Sequence, residues 1–404
     1  VSYLIFCTFE VGGFPFRMAE TLNRHGVETY YIYLGRRRSE HDSAEFHYGN
    51  QSPEWDLSSS FENILADSKK VIRQLNHIKA KKNILNCLAT GRRAYLLKMG
   101  GIEYKYWSYG SDLDQECFIR VPLTNHPLCK RVFVHPYRVF SECRDARKSI
   151  RDAISVMISS YQLDSLNRIC SKSMFFLPHY FKVVDYQLLL QQKAQSKKII
   201  CEQIGAKRYF FSATRQVWSG HLRDMMDNKG NDIILNSYAI FRRLTGDRHS
   251  KLVFVEKGPD VDASKLLSRS LKLDESVAWV DEMRREELNR YYQGADICFG
   301  QFGTPVLTYA ALEPLANGTI SVSFLNENSF TSPFYSENPP IFSSKDPKEI
   351  AEFIVRTSSE KENHAALSHK SWVWIQDNCS EGKFVKSFIN LFDKIHHMKH
   401  FEKE

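Results

Sequence analysis

The sequence predicts an α/β protein built from two Rossmann-like domains, and three observations lead there. Its 404 residues are too many for one ordinary core and suit two domains of roughly 150 to 200 residues each. Short apolar runs rich in aromatic and β-branched residues alternate with amphipathic stretches, the pattern of a parallel sheet covered on both faces. That alternation pauses in a polar, Gln- and Lys-rich stretch at 187–207 and then restarts.

In the first half, strands are expected at SYLIFCTF (2–9), ETYYIYL (28–34), NILNCL (83–88), EYKYWSYG (103–110), KRVFVH (130–135), AISVMISS (153–160) and SMFFLP (173–178). Helices are expected near 14–25, 61–80 and 91–99, which makes residues 1–190 the first domain. The second domain, 208–360, begins with RYFFSA (208–213) and continues with KLVFVEKG (251–258), VAWV (277–280), DICFGQF (296–302) and TISVSF (319–324). Its helices are placed near 231–244, 262–271, 284–293 and 306–316. The tail 361–404 reads as helices with Trp372, Trp374, Phe384, Phe388 and Leu391 on apolar faces, expected to cross the domain junction. The polar segment 39–60, with Gly49 and Pro53 and no sustained period, reads as a long loop.

Composition excludes several classes. Hydrophobic residues at 43% and charged residues at 25%, with 27 Phe and 19 Tyr, supply large cores and argue against disorder. No run approaches the roughly 18 to 20 apolar residues of a membrane span, and the opening VSYLIFCTFE has no basic leader and is interrupted by Glu10, so neither a spanning helix nor an export signal is expected. Nine scattered cysteines, none spaced as CxxC, point to a reducing cytoplasm without structural zinc. The formal charge of +8 is concentrated early: residues 1–150 hold 22 Lys and Arg against 16 Asp and Glu. Such an excess favours an anionic membrane surface or a phosphorylated acceptor, although scattered surface lysines give the same sum. No nucleic-acid partner is expected.

In doubly wound sheets ligands sit beyond the carboxyl ends of the strands, so the loops leaving the strands carry the candidates. Gly12-Gly13-Phe14-Pro15 permits close backbone approach and precedes a helix whose N–H groups suit an anion, or is simply a turn. It lacks the GxGxxG pattern of dinucleotide binders. Tyr109-Gly110-Ser111-Asp112-Leu113-Asp114 contains a DxD, which suits a divalent cation; the same short pattern recurs at Asp260-Val261-Asp262. Arg215, in the run after the 208–213 strand, and Lys229, just before the next helix, form a candidate diphosphate clamp: the guanidinium grips two phosphate oxygens and the ammonium adds a point charge. Gln301-Phe302-Gly303-Thr304-Pro305 runs into a helix expected to start at Val306, a second anion site. Glu313 lies within that helix among Ala310, Ala311, Leu312 and Leu315. A carboxylate there needs a partner, either two ribose hydroxyls or a neighbouring basic side chain.

From about 208 to 324, the ordered pieces SATRQVW with NKGND, LVFVEKGPD, VAWVDEMRREELNRYYQGADICFGQF and ALEPLANGTISV resemble the nucleotide-binding domain of retaining GT-B glycosyltransferases. That large family includes bacterial lipopolysaccharide and capsule transferases. GGFPFRMAETLNRHGVE and YGSD resemble its N-terminal domain more loosely. The resemblance implies two Rossmann-like domains facing a cleft, with Arg215 and Lys229 on the donor diphosphate, Glu313 on the ribose, the backbone near Val280 on the base, and Gly12 and Gly13 in a loop that closes over donor and acceptor. Two positions depart from the family. Pro305 replaces a glutamate that touches the donor sugar, which leaves Gln301 or Thr304 to read it, and Tyr109 stands where a histidine often precedes the glycine of the GSD-like loop.

These features imply a metal-independent, cofactor-free transferase taking a nucleotide-diphosphate-sugar donor and a saccharide or lipid-linked acceptor, with possible peripheral contact with anionic membrane. A nucleotide-sugar epimerase of the same fold and a non-catalytic sugar-nucleotide-binding scaffold are the alternatives.

Overall fold

The structure is a computed structural model that describes residues 2–8, 13–35, 53–108, 136–157, 166–172, 174–175, 177–219, 228–326, 335 and 337–393. The chain divides into two compact units, one of Val1–Leu177 with Val385–Glu404 and the other of Pro178–Phe384.

In the first unit the elements run β1 (Ser2–Cys7), α1 (Phe14–Arg24), β2 (Thr29–Tyr33), a 3-10 turn (Ser58–Ile64), α2 (Ser68–Lys82), β3 (Ile84–Thr90), α3 (Tyr95–Met99), β4 (Lys105–Trp107), α4 (Pro136–Asp152) and β5 (Ser155–Met157). The strands are parallel in the order β2-β1-β3-β4-β5. Every residue of β1 is buried, as expected for a central strand covered on both faces. The expected strand at 173–178 is reduced among the described residues to a bridge between Met174 and Val156, and 130–135 lies outside them.

Helix α2 shows how local chemistry sets an element. Asp67 caps it by accepting from the backbone N–H of Lys69 at 2.9 Å and Lys70 at 3.2 Å, and Asn83 ends it in the left-handed region at φ 49°. Lys79, Lys81 and Lys82 fill its last turn, where cations meet the negative end of the helix dipole. Val71, Leu75 and Ile78 are buried in the core of the first unit, and Ile64 and Ile72 pack against it. The apolar face beside those lysines therefore belongs to the protein interior.

The second unit starts with α5 (Tyr186–Ile204), followed by β6 (Arg208–Ser212), α6 (Asn231–Thr245), β7 (Ser250–Val255), α7 (Val261–Ser270), β8 (Val277–Val280), α8 (Arg285–Gly294), β9 (Ile297–Phe299), α9 (Tyr309–Ala316), β10 (Ile320–Ser323), β11 (Ile341–Ser343), α10 (Pro347–Ser359), α11 (Lys361–Cys379) and α12 (Glu381–Asp393). The stretch 187–207, where the alternation pauses, is thus mostly a helix. Asp185 caps it through Gln187 and Leu188, Gly205 closes it at φ 64°, and its Gln and Lys residues are good helix formers, some exposed and others paired inward, as Lys193 is with Thr319 at 2.7 Å and Lys197 with Asp296. Beyond 360, α12 is shared: its residues from Val385 onward group with the first unit.

The second sheet is parallel in the order β11-β10-β9-β6-β7-β8. Read from β8, that is the 3-2-1-4-5-6 arrangement of a doubly wound sheet, whose direction of winding reverses between β6 and β9. Phe210, Phe254, Ile297 and Val322 from four strands meet Ile234, Tyr238 and Phe241 of α6 in one buried cluster. Phe210→Ala is expected to cost about 3–5 kcal/mol in chemical denaturation of the second unit, whereas Leu244→Ala, at a side chain 58% exposed, is expected to stay within about 0.5 kcal/mol of the parent.

Candidate functional site

Because all strands of the second sheet run the same way, their carboxyl ends share one edge, and the loops that follow β6 and β9 flank the reversal point. The loop after β6 is pinned from several sides. Asn231, the first residue of α6, accepts from Val217 N–H at 3.1 Å and donates to Thr214 Oγ1 at 3.1 Å, and Thr214 Oγ1 meets Ser212 Oγ at 2.9 Å. Gln216 N–H donates to Lys257 O at 2.6 Å and its carbonyl accepts from Asp260 N–H at 3.0 Å.

Asp260 finishes the scaffold. Its carboxylate accepts from Trp218 N–H at 2.6 Å, Ser219 N–H at 2.8 Å and Ser219 Oγ at 2.7 Å. The second DxD of the sequence is therefore a loop anchor, its first carboxylate occupied by backbone and hydroxyl donors. Close passage makes this possible: a Cβ on Gly258, which sits at φ 113°, would come 2.5 Å from Gln216 O, so only glycine fits there without strain.

Lys229 joins the two flanking loops. Its N–H donates to Val217 O at 2.7 Å and its carbonyl accepts from Phe302 N–H at 2.9 Å. Its Nζ donates to Gln301 Oε1 at 3.2 Å, and Gln301 Nε2 donates to Thr304 O at 3.2 Å. Gln301 is only 4% exposed, so both ends of its buried amide are satisfied by the residues it connects. The loops meet backbone to backbone: a Cβ on Gly303 would collide with Asn228 O, and one on Gly230, at φ 65°, would lie 2.8 Å from Phe302 Cβ.

The remaining candidates take the following places. Arg215 is exposed between Thr214 and Gln216, both anchored. Val280 ends β8, its carbonyl accepting from Glu256 N–H at 2.7 Å. Val306 lies ahead of α9, which starts at Tyr309 with Thr308 as N-cap, so the helix N-terminus expected at Val306 is displaced to Tyr309. Glu313 falls about one turn into α9. Gly13 is the N-cap of α1 at φ 68°. Gly12, Tyr109 and Asp112 lie outside the described residues.

Glu313 is a buried carboxylate whose side chain is 9% exposed. Arg285 pairs with its Oε1, and Tyr292 donates to its Oε2 at 2.8 Å. Burial, with the carboxylate adding to it, pushes the Tyr292 phenol well above its ordinary range, so it remains a donor. The edge thus holds two clusters, one of Lys229, Gln301, Gly303 and Thr304, the other of Glu313, Arg285 and Tyr292. Asp260 entered the sequence reading only as part of a DxD, and Asn231, Arg285 and Tyr292 escaped it. The last two occupy one face of α8 two turns apart, a spacing visible in the sequence, but their partner is not. Among the described residues no group of three or more His, Cys, Asp or Glu side chains is arranged to hold a metal ion.

Gly303→Ala tests the close passage of the loops. It is expected to destabilise the second unit by about 1–3 kcal/mol, because the obstructing atom is backbone. Gly382→Ala, with nothing within 4 Å of the added carbon, is expected to be neutral or slightly stabilising in its helix, which paired thermal melts would show.

No protein-family model matches this chain, and no curated protein matches it in sequence. Solved structures do match in shape. HepE of Anabaena, in complex with UDP-glucose, aligns over 97% of this chain and 99% of its own with a TM-score of 0.64 at 10% identity. Sucrose-phosphate synthase of Thermosynechococcus elongatus aligns over 97% and 98% with a TM-score of 0.60 at 12% identity. WaaG, a glycosyltransferase involved in lipopolysaccharide biosynthesis, aligns over 97% and 99% with a TM-score of 0.57 at 11% identity. At such identities the likeness is one of architecture, and with its two parallel sheets the chain has the GT-B fold.

Proposed function

We propose that this protein is a glycosyltransferase that transfers a sugar from a nucleoside-diphosphate donor, with retention of configuration and without a metal, to a saccharide or lipid-linked acceptor. The observation that carries the reading is the cationic junction at the reversal point of the second sheet, where Lys229 is held between the β6 and β9 loops by Gln301. Its support comes from fold neighbours such as HepE, which holds UDP-glucose.

The proposed chemistry is electrostatic and positional. Arg215 and Lys229 receive the diphosphate, Glu313 accepts from the ribose hydroxyls, and the backbone beside Val280 meets the base. Gln301 and Thr304 border the sugar in place of the glutamate that Pro305 replaces. The acceptor hydroxyl oxygen bonds to the anomeric carbon on the face the diphosphate leaves. The bond from that carbon to the diphosphate breaks with its electron pair going to the leaving group, and the acceptor proton ends on a diphosphate oxygen. Gly12, Gly13, Tyr109 and Asp112 are assigned to the acceptor side or the closing loop.

Two measurements test this. Titrating UDP, GDP and ADP should find one that binds, and Lys229→Ala should weaken that nucleotide by about tenfold or more, the worth of a charge-assisted hydrogen bond. Equal affinity in the variant overturns the role of Lys229, and failure of all three nucleotides overturns the donor reading. With donor but no acceptor, slow hydrolysis at most is expected; conversion to an epimeric sugar nucleotide would identify the epimerase instead.

The lipid-linked acceptor is part of the proposal and rests on charge. Helix α2 carries Lys69, Lys70, Arg73, Lys79, Lys81 and Lys82 and no acidic residue, while its apolar face is buried in the core. No helix among the described residues is long and apolar enough to cross a membrane. Attraction to a membrane should therefore be electrostatic: co-sedimentation with phosphatidylserine vesicles is expected at 20 mM salt and lost near 500 mM, as screening shortens. Absence of co-sedimentation at low salt overturns it.

A further inference from the structure

Glu313 is surrounded by more machinery than a ribose reader needs. Arg285 opens α8 just beyond the carboxyl end of β8, and Tyr292 follows two turns later on the same helix, so both project toward one neighbour. That neighbour is the Glu313 carboxylate, with Arg285 on one oxygen and Tyr292 on the other at 2.8 Å. The Glu313 backbone is fixed as well, since its carbonyl accepts from Asn317 N–H at 3.2 Å and from Asn317 Nδ2 at 2.9 Å. Tyr292 is fixed in turn: Thr319 Oγ1 donates to its carbonyl at 2.8 Å.

A carboxylate offers about four acceptor directions, and these two donors occupy two of them. A buried ion pair alone contributes little net stability once desolvation is counted, so stability is a weak reason for the arrangement. Its stronger consequence is geometric: the carboxylate cannot rotate, and its remaining acceptor directions are fixed. The arginine also ties the start of α8, next to the loop leaving β8, to the carboxylate on α9.

We propose that Arg285 and Tyr292 are positioning residues that fix the Glu313 carboxylate so that its free acceptor directions receive the vicinal hydroxyl pair of a ribose. The assignment rests on the nucleotide-sugar reading and adds to it the groups that give the carboxylate its aim. Neither residue touches the ligand; each acts through Glu313.

The test compares a nucleoside diphosphate with its 2′,3′-dideoxy analogue. Dissociation constants are measured for UDP, GDP and ADP and for the dideoxy form of whichever binds best, in the parent protein and in Tyr292→Phe, Arg285→Gln, Arg285→Lys and Glu313→Gln. The parent is expected to prefer the ribonucleotide by tenfold or more, and Glu313→Gln to lose most of that preference. Tyr292→Phe and Arg285→Gln should each reduce the preference several-fold while affinity for the dideoxy analogue stays near that of the parent. Arg285→Lys should recover part of it. A ratio of two affinities within one variant is insensitive to general loss of stability, so a purely structural role would leave it unmoved. An unchanged preference in both Tyr292→Phe and Arg285→Gln overturns the positioning role. A parent without preference, or Glu313→Gln that keeps it, overturns the ribose contact and the positioning role with it. Absence of binding by every nucleotide overturns the underlying donor reading.

Discussion

The second unit depends on the passage of two loops at the point where its sheet reverses direction. Backbone meets backbone there because Gly230 and Gly303 carry no side chain, and Lys229 is hydrogen-bonded through its main chain to both loops. A residue with a Cβ at Gly303 would push Asn228 away, and with it the lysine next in sequence. Parallel strands place all the connecting loops of one edge side by side, and the glycines allow two of them to share a single cation. The Lys229 ammonium inherits its position from main-chain geometry and from one buried amide, Gln301, which donates at one end and accepts at the other.

Around that junction most buried polar groups of the scaffold are satisfied, Gln216 Nε2 being an exception. Asn231 and Asp260 are buried, and each makes several bonds to the loop after β6. Such networks specify one arrangement when every member is paired, because an unpaired buried donor or acceptor is costly. The loop carrying Arg215 is therefore held at its base, with Arg215 an exposed residue between two buried ones.

Much of this architecture was legible in the sequence. The strands β1, β2, β6, β7 and β10 lie where the apolar runs placed them, because near-continuous burial leaves a strong signal in composition, and the edge strand β8 does so with only Val277 buried. Polarity hides the element at 187–204, where caps at Asp185 and Gly205 and the buried Leu189 and Ile200 make a helix of the stretch in which the alternation pauses. Between 325 and 360 the apolar pattern marks no element, although Asp346-Pro347 begins α10 with a side-chain cap to Lys348 N–H at 2.8 Å, a start signal present in the sequence. The helix expected from Val306, after the turn that ends at Pro305, begins three residues later at Tyr309.

The sequence by itself determined the two α/β repeats, the loops that carry the candidate residues and the presence of a carboxylate among apolar neighbours at Glu313. It did so because periodicity and turn residues are local properties of the chain. What only the tertiary structure decided is which groups meet. Arg285 and Tyr292 reach Glu313 from another helix, Gln301 reaches Lys229 from the neighbouring loop, and Asp260 grips a loop some forty residues earlier. These pairings arise from the packing of distant segments, and packing follows from the whole set of buried surfaces and not from any one stretch of residues.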